Sequence, residues 1–251
     1  VKISLKTIRD ADWRYYVGSI ILILAFLSAL DTGFSLFRNV FIALATAIGT
    51  DYTYNRVVRK KSFWPRSAVV TGLLIGVILQ GLWWHTVIAA VLAILLKQTI
   101  RWKGHNIFNP AALGMLVAGI FLPISLVWSA SAVPLATIAL GLLLAYIIGR
   151  IPLILAYFAA HAAFMAGYSV LTGTPFIDNF MFVEFFMVFI MLVEPVTSPS
   201  KRNIRLVYGV VAALLINILI LTIGWFSFLP AFDPVLTGLL GANLVGRALS
   251  K

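Results

Sequence analysis

Phe108-Asn109-Pro110-Ala111-Ala112-Leu113-Gly114-Met115-Leu116 and Phe232-Asp233-Pro234-Val235-Leu236-Thr237-Gly238-Leu239-Leu240 share the pattern F-x-P-x-x-x-G-x-L, with an offset of 124 residues in a chain of 251. The residue before a proline resists α geometry, so each motif marks a place where a helix begins or is interrupted. Each also opens an apolar run, about 107 to 124 in the first case and 233 to 248 in the second. Eight further apolar runs lie outside these two, approximately 15 to 30, 35 to 50, 67 to 83, 86 to 100, 131 to 149, 151 to 171, 179 to 195 and 205 to 226. A helical span needs about 20 apolar residues, and somewhat fewer where it is broken or re-entrant. The pattern predicts an all-α integral membrane protein, a single membrane domain over 1–251 with about ten transmembrane helices.

Composition points the same way. The chain is 62% hydrophobic and 11% charged, with a mean hydropathy of +1.04, too apolar for a water-soluble domain. Its 19 Lys+Arg against 8 Asp+Glu give a formal net charge of +11. Those cations lie in short clusters between apolar runs, the pattern of loops facing anionic headgroups rather than of nucleic-acid binding. With the amino terminus inside, every lysine and arginine except Arg38 falls on one side. The positive-inside rule therefore predicts a multi-pass protein of the plasma membrane with both termini cytoplasmic. The first apolar run ends without a small-x-small cleavage site and reads as a span rather than a signal peptide. Trp13, Tyr15, Tyr16, Tyr52, Tyr54, Trp64, Trp83, Trp84, Trp102 and Trp128 cluster near span ends as interfacial anchors. The absence of cysteine excludes a Cys-ligated zinc site or an iron-sulfur cluster bound by this chain.

The two F-x-P motifs are separated by five spans, so the copies run in opposite directions. This predicts an inverted 5+5 repeat, about 15–124 and 131–248, as in many transport folds. Val70-Thr71-Gly72 and Val196-Thr197-Ser198 offer a second pair, at an offset of 126. Interruptions at Asn109-Pro110 and Glu194-Pro195 are tolerated at membrane depth only against protein or a polar cavity, so they mark where chemistry can happen. Intramembrane carboxylates are costly, which singles out Glu184 and Glu194. Glu194 is followed by Thr197, Ser198, Lys201 and Arg202, a polar cluster able to hold a phosphate or a ring carbonyl, or to anchor the loop to lipid. His85 and His161 lack a second ligand at metal-binding spacing, whereas His105 beside Asn106 is a better site candidate. No metal site, catalytic triad or phosphate-binding loop is legible.

Ser67-Ala68-Val69-Val70-Thr71-Gly72-Leu73-Leu74, then Leu96-Lys97-Gln98, then Gly104-His105-Asn106-Ile107-Phe108-Asn109-Pro110-Ala111-Ala112-Leu113-Gly114 resembles the NqrB/RnfD family. Glu194-Pro195-Val196-Thr197-Ser198-Pro199 resembles that family's D-P-V-T-S-P segment with Glu in place of Asp, and Gly241-Ala242-Asn243-Leu244 resembles its last span. The resemblance implies a urea-transporter-like fold and a membrane subunit of a flavin-dependent, ion-translocating electron-transport complex. It also implies a flavin, FMN or riboflavin. Family members esterify FMN to a threonine in an S-[GQ]-A-T motif, but here Ser129-Ala130-Ser131-Ala132-Val133 places valine at that position. A noncovalent flavin is therefore expected, held by Thr71, Lys97, His105, Asn106, Asn109, Thr197, Ser198, Lys201 and Arg202. Expected partners are the lipid bilayer, other electron-transport subunits or a soluble flavoprotein reductase, and a second copy in a homodimer. A channel or transporter for a small polar solute or flavin, and a membrane anchor for a flavoprotein reductase, stand as alternatives; whether the chain is itself an enzyme is left open.

Overall fold

The structure, a computed structural model, describes residues 12–61, 64–223 and 232–250. Lys2, Lys6, Arg9 and Lys251 of the basic clusters lie outside those residues.

The described residues form ten α-helices: α1 (Trp13–Thr32), α2 (Ser35–Val57), α3 (Arg66–Ile78), α4 (Trp83–Thr99), α5 (Pro110–Phe121), α6 (Pro134–Ile147), α7 (Ile151–Thr172), α8 (Phe176–Phe180), α9 (Arg202–Leu221) and α10 (Pro234–Leu249). By length and composition α1, α7 and α9 are long and apolar enough to cross a membrane, and α3, α4, α5, α6 and α10 are shorter apolar helices. The chain is thus an all-α membrane protein.

Both F-x-P motifs start helices, and for the same local reason. Asn109 accepts a hydrogen bond from the Ala112 N–H at 3.1 Å, and Asp233 accepts one from the Leu236 N–H at 2.7 Å. Each satisfies a backbone donor that a first helical turn leaves unpaired. Pro110 and Pro234 then occupy the first helical position, where a missing N–H costs nothing.

The eighth apolar run departs from expectation. In place of a continuous helix over 179 to 195 there is the five-residue α8, a non-helical stretch, and a π turn at Met187–Met191 closed by the Leu192 N–H to the Met187 carbonyl at 2.8 Å. Hydropathy registers apolar burial without distinguishing a regular helix from a wound and unwound one. Every side chain from Phe186 to Val193 is buried.

Helices α3 and α5, of 13 and 12 residues, rise only about 18–20 Å and stop short of a hydrocarbon core of about 30 Å. The segments that follow them pair: β1 (Leu79–Gln80) lies antiparallel to β4 (Ser125–Leu126), Leu79 opposite Leu126 and Gln80 opposite Ser125. The Val127 N–H also donates to the Ile78 carbonyl at 2.7 Å. These bonds occupy backbone groups that apolar surroundings would leave unsatisfied.

Packing is close where side chains are small. A Cβ on Gly114 of α5 would lie 2.4 Å from the Ala93 Cβ of α4, and one on Gly238 of α10 would lie 2.4 Å from the Ile216 Cγ1 of α9. Glycine at the same position of both motifs thus lets each motif helix press against the helix before it, the contact that replaces a hydrophobic driving force in lipid. Helix α2 packs against α3 and α4, α7 against α9, and α5 against α10. The C-terminal half of α10 lies at the N-terminal end of α5, where Arg247 donates to the Trp102 carbonyl. Its first residues lie beyond the other end, where the Trp128 indole donates to Asp233. Helices α5 and α10 therefore run antiparallel.

Candidate functional site

The polar residues of one end of the bundle converge because α2 and α4 run parallel. Asn39, near the start of α2, donates to the Leu79 carbonyl just before α4. Asp51, near the end of α2, meets the last turn of α4, where Lys97 Nζ is 3.3 Å and Gln98 Nε2 2.8 Å from its Oδ1. Asp51 is 2% and Lys97 10% exposed, so this is a desolvated ion pair. Beyond α4 the chain reverses in a hairpin, β2 (Arg101–Trp102) against β3 (His105–Asn106). Lys103 (φ 48°) and Gly104 (φ 79°) make its turn. Two consecutive left-handed residues match the twist of paired strands, and glycine supplies one without strain. The hairpin returns His105 and Asn106 toward α5, whose capping residue is Asn109.

A cavity of about 480 Å³ opens here. Its walls carry Arg14 of α1, Asp51 of α2, Arg59 and Trp64 of the following connection, Arg66 and Ser67 at the start of α3, Lys97 and Gln98 of α4, and Arg101, His105 and Asn106 of the hairpin. Val196 enters from the other half of the chain. Five of these residues are cations. Asp51 answers Lys97, and Asp12 answers both Arg14 and Arg66, each at 3.2 Å. Partial burial pushes the Asp12 carboxyl up, but the Arg14 backbone N–H and the two guanidiniums outweigh it and hold the group below its usual range. Cations outnumber carboxylates, so the cavity is electropositive and suited to an anion.

Behind Val196 lies a buried polar knot. Glu194 Oε2 accepts from Asn109 Nδ2 at 2.9 Å and from the Thr197 hydroxyl at 3.2 Å, and the Ser198 hydroxyl donates to the Glu194 carbonyl at 2.7 Å. The Asn109 N–H donates to Asn243 Oδ1 at 2.9 Å, and Asn243 Nδ2 donates to the Tyr208 hydroxyl at 2.7 Å. Asn109, Asn243 and Tyr208 are each 0% exposed. Glu194 is also within electrostatic reach of Lys97, which links the knot to the cavity wall.

Of the candidates drawn from sequence, Lys97, His105 and Asn106 line the cavity, and Asn109, Thr197 and Ser198 form the knot beside it. Thr71 stands one helical turn past Ser67 and gives its hydroxyl to the Ser67 carbonyl at 3.0 Å, so it lies below the cavity floor. It sits in the second turn of α3, whereas Thr197 lies past the π turn in the break before α9; the two do not occupy equivalent places. Lys201 and Arg202 are exposed at the start of α9, away from the cavity. Asp51, Gln98, Tyr208 and Asn243 escaped the sequence reading as site residues, and Arg14, Arg59, Arg66 and Arg101 entered it only as topology markers. A lone carboxylate at the polar end of an otherwise apolar run was the available signal for Asp51. Among the described residues, no three His, Cys, Asp or Glu come together as a metal site.

Curated relatives match over part of the chain. It is 34% identical over 115 residues to the ion-translocating oxidoreductase complex subunit RnfD of Pectobacterium carotovorum subsp. carotovorum, a match covering 43% of this chain and 33% of that protein. The protein of the same name from Colwellia psychrerythraea is 34% identical over 108 residues, 40% of this chain and 30% of its own length. That from Shewanella sediminis is 44% identical over 71 residues, 27% and 20% respectively. The matches thus span a third or less of these relatives' length. The family model described as NQR2, RnfD, RnfE matches residues 9–140, a stretch that holds every cavity-lining residue except Val196. The chain belongs to the NQR2, RnfD, RnfE family.

Proposed function

We propose that this chain is a membrane subunit of a flavin-dependent, ion-translocating electron-transport system and that its cation-rich cavity seats FMN or riboflavin noncovalently. The observation that carries this reading is the electropositive cavity of about 480 Å³ walled by the family's own Lys97-Gln98 and His105-Asn106 segments. The volume falls within the usual range of small-molecule sites. Val133 stands where the family resemblance would put an esterifying threonine, offers no hydroxyl, and lies outside the cavity lining, so a flavin in the cavity is read as held by noncovalent contacts.

Bound flavin supplies the electron-transfer chemistry; the residues of this chain bind and orient it. Arg59, Arg66 and Arg101 would take the phosphate of FMN, since guanidinium forks match phosphate oxygens. Asn106 and His105 would take ring heteroatoms, and Lys97 would favour the reduced, more anionic flavin. The Asn109–Glu194 bond ties the cavity wall to the break before α9 and keeps that wall rigid. The same reading includes ten spans, an inverted repeat over 15–124 and 131–248, both termini cytoplasmic, and assembly with other electron-transport subunits. It is supported by the matching caps and glycines of the two motif helices and by the antiparallel course of α5 and α10. A solute channel fits less well, because the buried apolar residues from Phe186 to Val193 offer no polar track between Glu184 and Glu194.

The test is a titration of FMN and riboflavin into the detergent-purified chain, read by quenching of flavin fluorescence. Both are expected to bind and to be released into the supernatant on denaturation. An Arg66→Gln, Arg101→Gln double variant is expected to weaken FMN at least tenfold while leaving riboflavin little changed. A chain that binds neither flavin, or a variant that loses both equally, refutes the assignment of the cavity.

A further inference from the structure

Arg150 and Arg205 lie within electrostatic reach of each other, and each is bonded to a backbone carbonyl rather than to an acid. Arg150, in the connection between α6 and α7, is 7% exposed and donates through Nη1 to the Pro199 carbonyl. Arg205, in the first turn of α9, donates through Nη1 to the Gly149 carbonyl at 2.6 Å. The Nε of each is buried without an acceptor. Burial and the neighbouring Arg205 charge bring the Arg150 guanidinium down to about 10, still cationic at neutral pH. Among the described residues every ion pair involves Asp12 or Asp51, both at the cavity, so neither arginine has a carboxylate partner. A guanidinium as withdrawn from water as Arg150, with the half-exposed Arg205 charge beside it, costs free energy unless an anion accompanies it.

The carbonyl bonds hold the Nη1 of each fork and the Nε atoms are buried, which leaves the Nη2 of each to meet a phosphate oxygen. The exposed Lys201 and Arg202 stand next to this pair, and α9 begins at Arg202 without a side-chain cap, so its first backbone N–H groups face the same place. From there an exposed apolar lane runs down α9 through Leu206, Val207, Val210 and Leu214. A soluble phosphate has no use for that lane; an acyl chain does.

We propose that Arg150 and Arg205, with Lys201 and Arg202 at the rim, form a site for the phosphate of an anionic phospholipid whose acyl chains lie along α9. The site is separate from the flavin cavity and stands or falls without it. It also accounts for the Lys201 and Arg202 charges that the cavity does not use. An ordered lipid here would fix the α6–α7 connection against the break that carries Glu194 and the start of α9, because Arg150 ties the connection to the break and Arg205 ties α9 to the connection.

Native mass spectrometry of the delipidated full chain, with phosphatidylglycerol added, tests this. One to two phosphatidylglycerol molecules are expected to be retained in preference to phosphatidylcholine, undisplaced by inorganic phosphate in large excess. Arg205→Gln is expected to weaken retention about tenfold, the effect of one charge-assisted hydrogen bond. Arg150→Gln, which keeps a donor for the Pro199 carbonyl, is expected to do the same, while the exposed Arg56→Gln leaves it unchanged. Equal retention of phosphatidylcholine, or of phosphatidylglycerol by Arg205→Gln, overturns the proposal. Displacement by inorganic phosphate would assign the site to a soluble anion and overturn the lipid reading. If Arg150→Gln fails to fold, the Arg205→Gln result decides alone.

Discussion

Replacing Lys97 by methionine tests whether the Asp51–Lys97 pair is as desolvated as the structure has it. Methionine keeps the length of the stem and removes only the ammonium. Asp51, 2% exposed, would then retain the Gln98 hydrogen bond at 2.8 Å and no cation. Removing one partner of a buried ion pair costs roughly 3–5 kcal/mol, because the remaining charge has neither water nor counter-ion. A single hydrogen bond to a charged group returns roughly 1.5–3 kcal/mol and is already present in the wild type, so it offers no compensation. The Asp51→Asn, Lys97→Met double variant carries no buried charge at this position and is expected within about 1.5 kcal/mol of the wild type. Since Asp51→Asn alone would strand the Lys97 ammonium in turn, a double-mutant cycle should give a coupling of at least about 1.5 kcal/mol. Titration with sodium dodecyl sulfate in mixed micelles, followed by far-ultraviolet circular dichroism, measures it. A Lys97→Met variant that loses less than about 1 kcal/mol, or a double variant as unstable as the single, would mean that Asp51 reaches water in the folded protein.

Gly114→Ala is expected to destabilise by about 1–3 kcal/mol, and by more than Gly238→Ala. The first Cβ meets the Ala93 Cβ at 2.4 Å and the Ala89 carbonyl at 2.7 Å, whereas the second meets a side-chain atom, Ile216 Cγ1, at 2.4 Å and backbone only at 3.0 Å; equal losses in the same titration would contradict this packing. Asn243→Leu strips the Asn109 N–H and the Tyr208 hydroxyl of their partners and should cost roughly 2–5 kcal/mol, part of it recovered by adding Tyr208→Phe. No recovery would show that the two are not joined through Asn243. Asp12→Asn should lower stability at neutral pH. Since the folded carboxyl titrates below its ordinary 3.8, the wild-type advantage is full above that value and fades as pH falls through the lower, folded one. An advantage that grows on acidification would reverse the sign and the explanation.

Much of the membrane architecture was legible because bilayer thickness and backbone satisfaction leave few options. The starts of α5 and α10 could be read from Asn109-Pro110 and Asp233-Pro234, since a proline beside a short polar side chain acts locally. The eighth run was not legible in the same way: Phe186 to Val193 are apolar whether wound as α or π. The site was half legible. His105, Asn106 and Asn109 are close in sequence and stayed together in space. Asp51 reaches Lys97 only because α2 and α4 lie parallel with α3 between them in the chain, which no local pattern encodes. The short similarity of Val70-Thr71-Gly72 to Val196-Thr197-Ser198 was misleading for the opposite reason, three matched letters falling on different parts of two elements.

The π turn at Met187–Met191 sets a rule for insertions and deletions. Such a turn holds one residue more than the α turn it replaces, so removing any one of its five residues would relax it to ordinary winding. Because the wider turn completes its revolution with that extra residue, the chain after such a deletion would keep nearly the same face, and Glu194 would still be aimed at Asn109. A residue removed from regular winding has no such slack: everything after it would swing by about 100° about the axis and move by about 1.5 Å. A one-residue gap is therefore expected to be tolerated within Met187–Met191 and not in the regular helices on either side.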